Sequence, residues 1–180
     1  MATNDGPSRS APRIAVSGPE STGKTTLCRA LGASLGLHVV DEYARIHLDR
    51  HGPAYGRDDL DQIAREHLRL EQAATGPVLF DTDAANLVIW YQDKGWTVPA
   101  DLADHLATAP YDLVLLTAPD IAWAPDHQRE NPGRGMELFL QFQALYQQVG
   151  QPFVTITGRA DHRMLRARAA LGGLIRMPYL

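Results

Sequence analysis

The residues Gly18-Pro-Glu-Ser-Thr-Gly-Lys-Thr25 fit the spacing G-x-x-x-x-G-K-[ST] without exception. Between a strand and a helix, such a loop curls so that several backbone N–H groups converge, and the positive end of the helix adds to the field there. A polyphosphate suits that site, and ATP with Mg²⁺ is the expected pair. Lys24 can reach the β and γ phosphates, and the Thr25 hydroxyl is placed to ligate Mg²⁺. Gly18, Glu20, Ser21, Thr22, Gly23 and Thr26 complete the loop that would hold the nucleotide. Asp41-Glu42 and Asp81-Thr-Asp83 each close a short apolar run. Asp81 stands where a Walker B aspartate would hold Mg²⁺ through water beside Thr25, with a helix N-cap as its structural alternative.

Phosphoryl transfer needs mostly positioning and charge neutralisation. Four carboxylates, Asp41, Glu42, Asp81 and Asp83, exceed the needs of one Mg²⁺, so at least one can bind an acceptor hydroxyl and take its proton. Glu42 leads as that base, with Arg45 one helical turn later as its partner. Tyr43, Tyr55, Trp90, Tyr91 and Trp123 lie near these stretches. Trp90 reads equally as core or rim. Trp123 sits in a proline-bounded loop with no helical stripe to bury it. An aromatic face beside carboxylates suits a flat cationic ring such as a pyridinium.

These groups need elements to carry them. Arg13–Ser17 reads as a buried strand leading into the loop, and a helix follows to about Gly36. Leu37–Val40 reads as a second strand, with helical turns from 42 to 50 and a break at Gly52-Pro53. Leu60, Ile63, Ala64, His67 and Leu68 have helical period, with Asp58 as N-cap. Val78–Phe80, Tyr111–Leu116 and Phe153–Ile156 read as three more strands. A helix follows the third, residues 100 to 108 form another, and Phe139, Phe142, Tyr146 and Val149 make a helical stripe. The stretch from Thr117 to Pro132, with Pro119, Pro125 and Pro132, is long enough for a lid or binding loop. Strands alternating with helices predict a three-layer α/β fold of the P-loop NTPase kind, with a mostly parallel five-stranded sheet whose carboxyl ends line the ligand crevice.

The 180 residues suit one domain with one core, with Met1–Pro12 a polar, flexible tail and 13 to 180 the folded unit. A net charge of −4 with scattered basic residues argues against nucleic-acid binding. Arg159, Arg163, Arg166, Arg168 and Arg176 form a late basic row, read as a solvated face or an anion patch. The lone Cys28 excludes an internal disulfide, no apolar run approaches a membrane span, and the cytoplasm is the expected compartment. His47 and His51 are spaced i and i+4, but the glutamate of a zinc H-E-x-x-H motif is missing. Leu-Thr-Ala-Pro-Asp at 116 to 120 offers no guanine-reading N-K-x-D motif.

Taken together, GPESTGKTTL at 18 to 27, EYAR at 42 to 45, DTD at 81 to 83 and PDIAWAPDHQR at 119 to 129 resemble the ribosylnicotinamide kinase domain of the NadR family over residues 12 to 160. The resemblance implies transfer of the γ-phosphate of ATP to the 5′-hydroxyl of nicotinamide riboside. It places Lys24, Glu42, Asp83 and Arg129 in catalysis, and Glu42, Tyr43, Arg45, Asp83, Trp123 and Asp126 at the acceptor. The metal falls to Thr25 and Asp81. By position, Arg159 in the loop after the fifth strand could stack on the adenine. The family's lid continues Asp-Gly-Leu-Arg, whereas this chain has Asp126-His-Gln-Arg129, and the H-x-G-H motif of the family's adenylyltransferase domain is missing. A kinase for another nucleoside or metabolite and a nucleotide-binding sensor are the alternative readings.

Overall fold

The computed structural model describes residues 11–124 and 130–175. Met1–Ser10 of the expected tail, Asp126 and Arg129 of the expected lid, and Arg176 lie outside them. Five strands, β1 (Arg13–Ser17), β2 (His38–Val40), β3 (Val78–Asp81), β4 (Leu113–Thr117) and β5 (Phe153–Ile156), form one sheet in the order β2-β3-β1-β4-β5. Every pairing is parallel, so all five carboxyl ends lie along one edge. The order reverses at β1, and the loop after β1 therefore sits at the switch point where α/β sheets bind ligands.

Side-chain alternation explains the layers. Ile14 and Val16 of β1, Leu79 of β3 and Leu113 and Leu115 of β4 face α1 (Lys24–Leu35) and α7 (Ala160–Leu171). Ala15, Val78, Phe80, Val114 and Leu116 face the opposite core. That core is closed by α2 (Tyr43–His51), α3 (Arg57–Ala73), α4 (Ala84–Asp93), α5 (Ala100–Ala107) and α6 (Gly135–Val149). Central strands covered on both faces must be apolar through their middles, as Ile14–Val16, Val78–Phe80 and Leu113–Leu116 are. Cys28 is buried against α7 and the sheet as a small apolar filler.

Two local expectations shift. Asp58 is not the cap of α3: the helix begins at Arg57, and Asp59 reaches back to accept from the Gly56 N–H at 2.9 Å. The fourth strand starts at Leu113 instead of Tyr111, because the Tyr111 N–H and C=O bond the Gln151 side-chain amide and not a neighbouring strand.

Candidate functional site

The loop after β1 wraps the N-terminus of α1. Gly18 has φ +133°, and a Cβ there would lie 2.6 Å from the Thr117 carbonyl oxygen, so only glycine fits against β4. The Thr22 hydroxyl donates to the Pro19 carbonyl at 2.7 Å and meets the Thr117 hydroxyl at 2.6 Å, which fixes the far side of the curl. Lys24 turns back over the loop and donates to the carbonyls of Gly18 at 2.8 Å and Pro19 at 3.0 Å. Burial lowers its pKa, while Glu42 and Asp81 oppose that shift.

A cavity of about 180 Å³ opens over this loop. Glu20, Ser21, Thr22, Gly23, Lys24, Thr25 and Thr26 line one side of it. Glu42 and Arg45 of the β2–α2 junction, Asn86, Trp90 and Asp93 of α4, and Phe142 of α6 line the other. Glu42 sits at the N-cap of α2 without making a side-chain cap bond. Burial raises its pKa, against the pull of Lys24 and Arg45, so its carboxylate is more basic than an ordinary glutamate.

The four carboxylates divide by geometry. Asp41 is exposed and reaches Arg29 at 3.4 Å, outside the cavity. Asp81 is 4% exposed and keeps Oδ1 buried without a partner among the described residues; burial raises its pKa, and the neighbouring Thr25 side chain and Lys24 oppose that rise. An orphaned carboxylate oxygen beside a hydroxyl fits a hard, oxygen-seeking cation such as Mg²⁺, whose remaining ligands come from water and phosphate. Among the described residues, no group of three or more His, Cys, Asp and Glu could hold a metal unaided.

Asp83 departs from expectation. It is fully buried, its Oδ1 accepts from the Ser17 hydroxyl at 2.7 Å and the Asn86 N–H at 3.2 Å, and its Oδ2 accepts from the Tyr146 hydroxyl at 2.6 Å. Both oxygens are thus engaged inside the protein, and Asp83 does not line the cavity. Period-two alternation would have placed it beside Asp81. Thr82, at φ +86°, breaks that alternation and sends Asp83 under α4 as its N-cap. A β-branched residue in that region is strained, and its own Oγ1 is buried without a partner among the described residues.

Tyr43 turns from the cavity toward the larger core, and Trp123 is 37% exposed on the loop after β4 without lining the cavity. Arg159 is the exposed N-cap residue of α7, also outside the cavity lining. The expected surface role of Arg163 is overturned, since that residue is 4% exposed. Of the paired histidines, His51 Nδ1 faces the His47 carbonyl at 2.9 Å and His47 Nε2 faces Asp59 at 3.1 Å.

The expected lid is moored at both described ends. The Ala124 N–H donates to the Ser21 hydroxyl at 2.9 Å. Glu20 accepts from the Glu130 N–H at 3.1 Å, the Asn131 N–H at 3.1 Å and the Asn131 side-chain amide at 3.2 Å. Asn86, Trp90 and Asp93 were not singled out as a group from sequence, although their spacing of four and three residues on an otherwise apolar helix was the available signal.

A family described as an AAA domain matches residues 13–163. No curated protein sequence matches significantly. Among solved structures, NadR protein in complex with NAD and AMP-PNP is 20% identical with a TM-score of 0.70, covering 94% of this chain and 52% of that one. NadR protein in complex with NR is 21% identical with a TM-score of 0.77, covering 94% and 53%. The chain thus spans about half the length of the NadR chains it matches. Deoxyadenosine kinase from M. mycoides is 12% identical with a TM-score of 0.63, covering 90% and 99%. Shikimate kinase from Acinetobacter baumannii is 18% identical with a TM-score of 0.57, covering 91% and 93%. At these identities the shared property is the fold, a parallel α/β sheet of the P-loop kinase kind.

Proposed function

The chain belongs to the AAA domain family, and from that premise we propose that it transfers the γ-phosphate of ATP to the 5′-hydroxyl of nicotinamide riboside. The observation that carries this reading is one cavity holding both halves of a phosphotransferase site. Lys24 and Thr25 line the phosphate side, with Glu42, Arg45, Asn86 and Trp90 opposite, while Asp81, whose Oδ1 is buried without a partner among the described residues, lies outside the lining. The likeness to NadR bound to NR favours the acceptor, and the likeness to two other small-molecule kinases favours the reaction class.

Lys24 exchanges its two loop carbonyls for phosphate oxygens, and the loop N–H groups hold the β-phosphate. Thr25 and Asp81 are the residues that would hold Mg²⁺, which supplies charge neutralisation at the transferred group. Glu42 orients the acceptor hydroxyl and takes its proton as the oxygen attacks the γ-phosphorus. The new O–P bond forms as the bond to the β,γ-bridging oxygen breaks, and ADP leaves with that electron pair. Trp90 offers a ring face to the acceptor base, and Asp93, one turn along α4, offers a counter-charge to a cationic ring. The reading keeps Arg129 and Asp126 in catalysis and acceptor binding, and Arg159 beside the adenine.

An ADP-release assay with nicotinamide riboside, deoxyadenosine, shikimate and no acceptor tests this. Release dependent on nicotinamide riboside is expected. Release with another acceptor alone replaces the substrate, and ATP binding with no acceptor-dependent release replaces the kinase with a nucleotide-binding sensor.

A further inference from the structure

Arg163 projects from α7 into the protein and is 4% exposed, yet it does not line the cavity. Its Nε donates to the Gly158 carbonyl at 2.6 Å, Nη1 to the Thr22 carbonyl at 2.6 Å, and Nη2 to the Ala118 carbonyl at 2.8 Å and to the Asp120 carboxylate. Asp120 also accepts from the Gly158 N–H at 2.6 Å. A buried guanidinium is costly unless its charge is paired and its donors are satisfied. Here one carboxylate and three carbonyls do both. Those carbonyls come from three separate places: the loop before α1, the end of β4 and the turn after β5.

The bond to Thr22 has a geometric consequence. Among the described residues there is no cis peptide bond, and across a trans peptide the C=O and N–H point in opposite directions. With its carbonyl held toward α7, the Thr22–Gly23 unit must aim the Gly23 N–H the other way. That is the side of the cavity, which Gly23 and Lys24 line. Gly23 is also the N-cap of α1, where backbone donors have no partner within the helix.

We propose that Arg163 is a positioning residue of the donor site. It locks the Thr22–Gly23 peptide in the orientation that offers the Gly23 N–H to a phosphate oxygen. Through the same planar fork it ties that loop to Ala118, Asp120 and Gly158, so the phosphate loop and the turn after β5 act as one body. A lysine cannot replace it, because a single ammonium cannot span four acceptors in one plane. The proposal rests on reading the loop as the ATP phosphate site.

The test compares wild type with Arg163→Lys and Asp120→Ala. The second removes the carboxylate that pairs with Arg163 among the described residues, at a side chain that is 37% exposed, and so tests the same device if Arg163→Lys does not fold. Calorimetry measures binding of Mg²⁺-AMP-PNP and of inorganic tripolyphosphate, and steady-state assays give KM for ATP and for the acceptor. Weakening of both phosphate ligands by about tenfold or more is expected, with the ATP KM rising in step and the acceptor KM within about twofold of wild type. The Gly23 amide ¹⁵N resonance should shift in the same variants. A folded variant that binds tripolyphosphate as wild type does, or that loses donor and acceptor affinity equally, overturns the proposal. Wild-type protein that binds neither phosphate ligand overturns the donor-site reading, and the proposal with it.

Discussion

The Ser17 hydroxyl donates a 2.7 Å hydrogen bond to Oδ1 of Asp83. The last residue of β1, just before the phosphate loop, is thereby tied to the residue that caps α4. Tyr146 of α6 closes the same group from the other side at 2.6 Å. Asp83 therefore braces the loop from within the protein.

Asp83→Ala leaves two hydroxyls and the Asn86 N–H short of an acceptor and should cost about 2–4 kcal/mol of stability by urea unfolding. Asp83→Asn keeps an oxygen for Ser17 and Asn86, and its acceptor KM should stay within about threefold of wild type. A rise in that KM with unchanged stability would restore Asp83 to the acceptor site.

Glu42→Gln should lower kcat by about 10²-fold while leaving ATP affinity unchanged, the loss typical of a removed general base. Because burial raises the Glu42 pKa, the acid limb of wild-type kcat should lie above the ordinary carboxylate range and vanish in the variant. The sign for stability is opposite to that for activity. A carboxylate whose folded pKa is raised favours folding below its unfolded pKa and loses that contribution as pH rises through the folded value, so Glu42→Gln should be more stable than wild type at neutral pH. Unchanged turnover would remove Glu42 from the mechanism.

Gly18→Ala forces a Cβ to 2.6 Å from the Thr117 carbonyl oxygen and 2.7 Å from its hydroxyl, at a backbone angle that alanine resists. A loss of about 1–3 kcal/mol is expected, seen as a melting point lower by roughly 2–9 °C. Since the strain falls on the phosphate loop, AMP-PNP affinity should drop in the same variant.

Glu71 is 1% exposed and is held by His67, His105, the Tyr111 hydroxyl and, at 3.7 Å, Arg13. Burial pushes its pKa up, but hydrogen bonds from His105 and the Tyr111 hydroxyl, with His67 Nε2 2.8 Å away, outweigh that and hold it down at about 2. A depressed carboxylate contributes stability above its unfolded pKa that is lost as pH falls toward the folded value. About 3 kcal/mol should therefore disappear between roughly pH 4.5 and pH 2 in urea titrations, and the Glu71→Gln slope over that window should be shallower.

Much of the site was legible because its information is local. The G-x-x-x-x-G-K-[ST] spacing, the apolar runs of β1, β3 and β4 and the Asp at the end of β3 each need only a few consecutive residues to be read. The same holds for Glu42 and Arg45, since a short strand followed by one helical turn places both on the rim.

What the sequence determined by itself is the set of strands and helices, the phosphate loop and its neighbouring carboxylates, because periodicity and backbone chemistry act over a handful of residues. Tertiary structure alone decided how those carboxylates divide. The positive φ of Thr82 turned Asp83 away from Asp81, and packing of α6 brought Tyr146 to meet it. It also turned Arg163 inward, because three loop carbonyls from distant parts of the chain converge where α7 crosses them. No spacing along the chain encodes such a convergence; it exists only once the parallel sheet has gathered its strand ends along one edge.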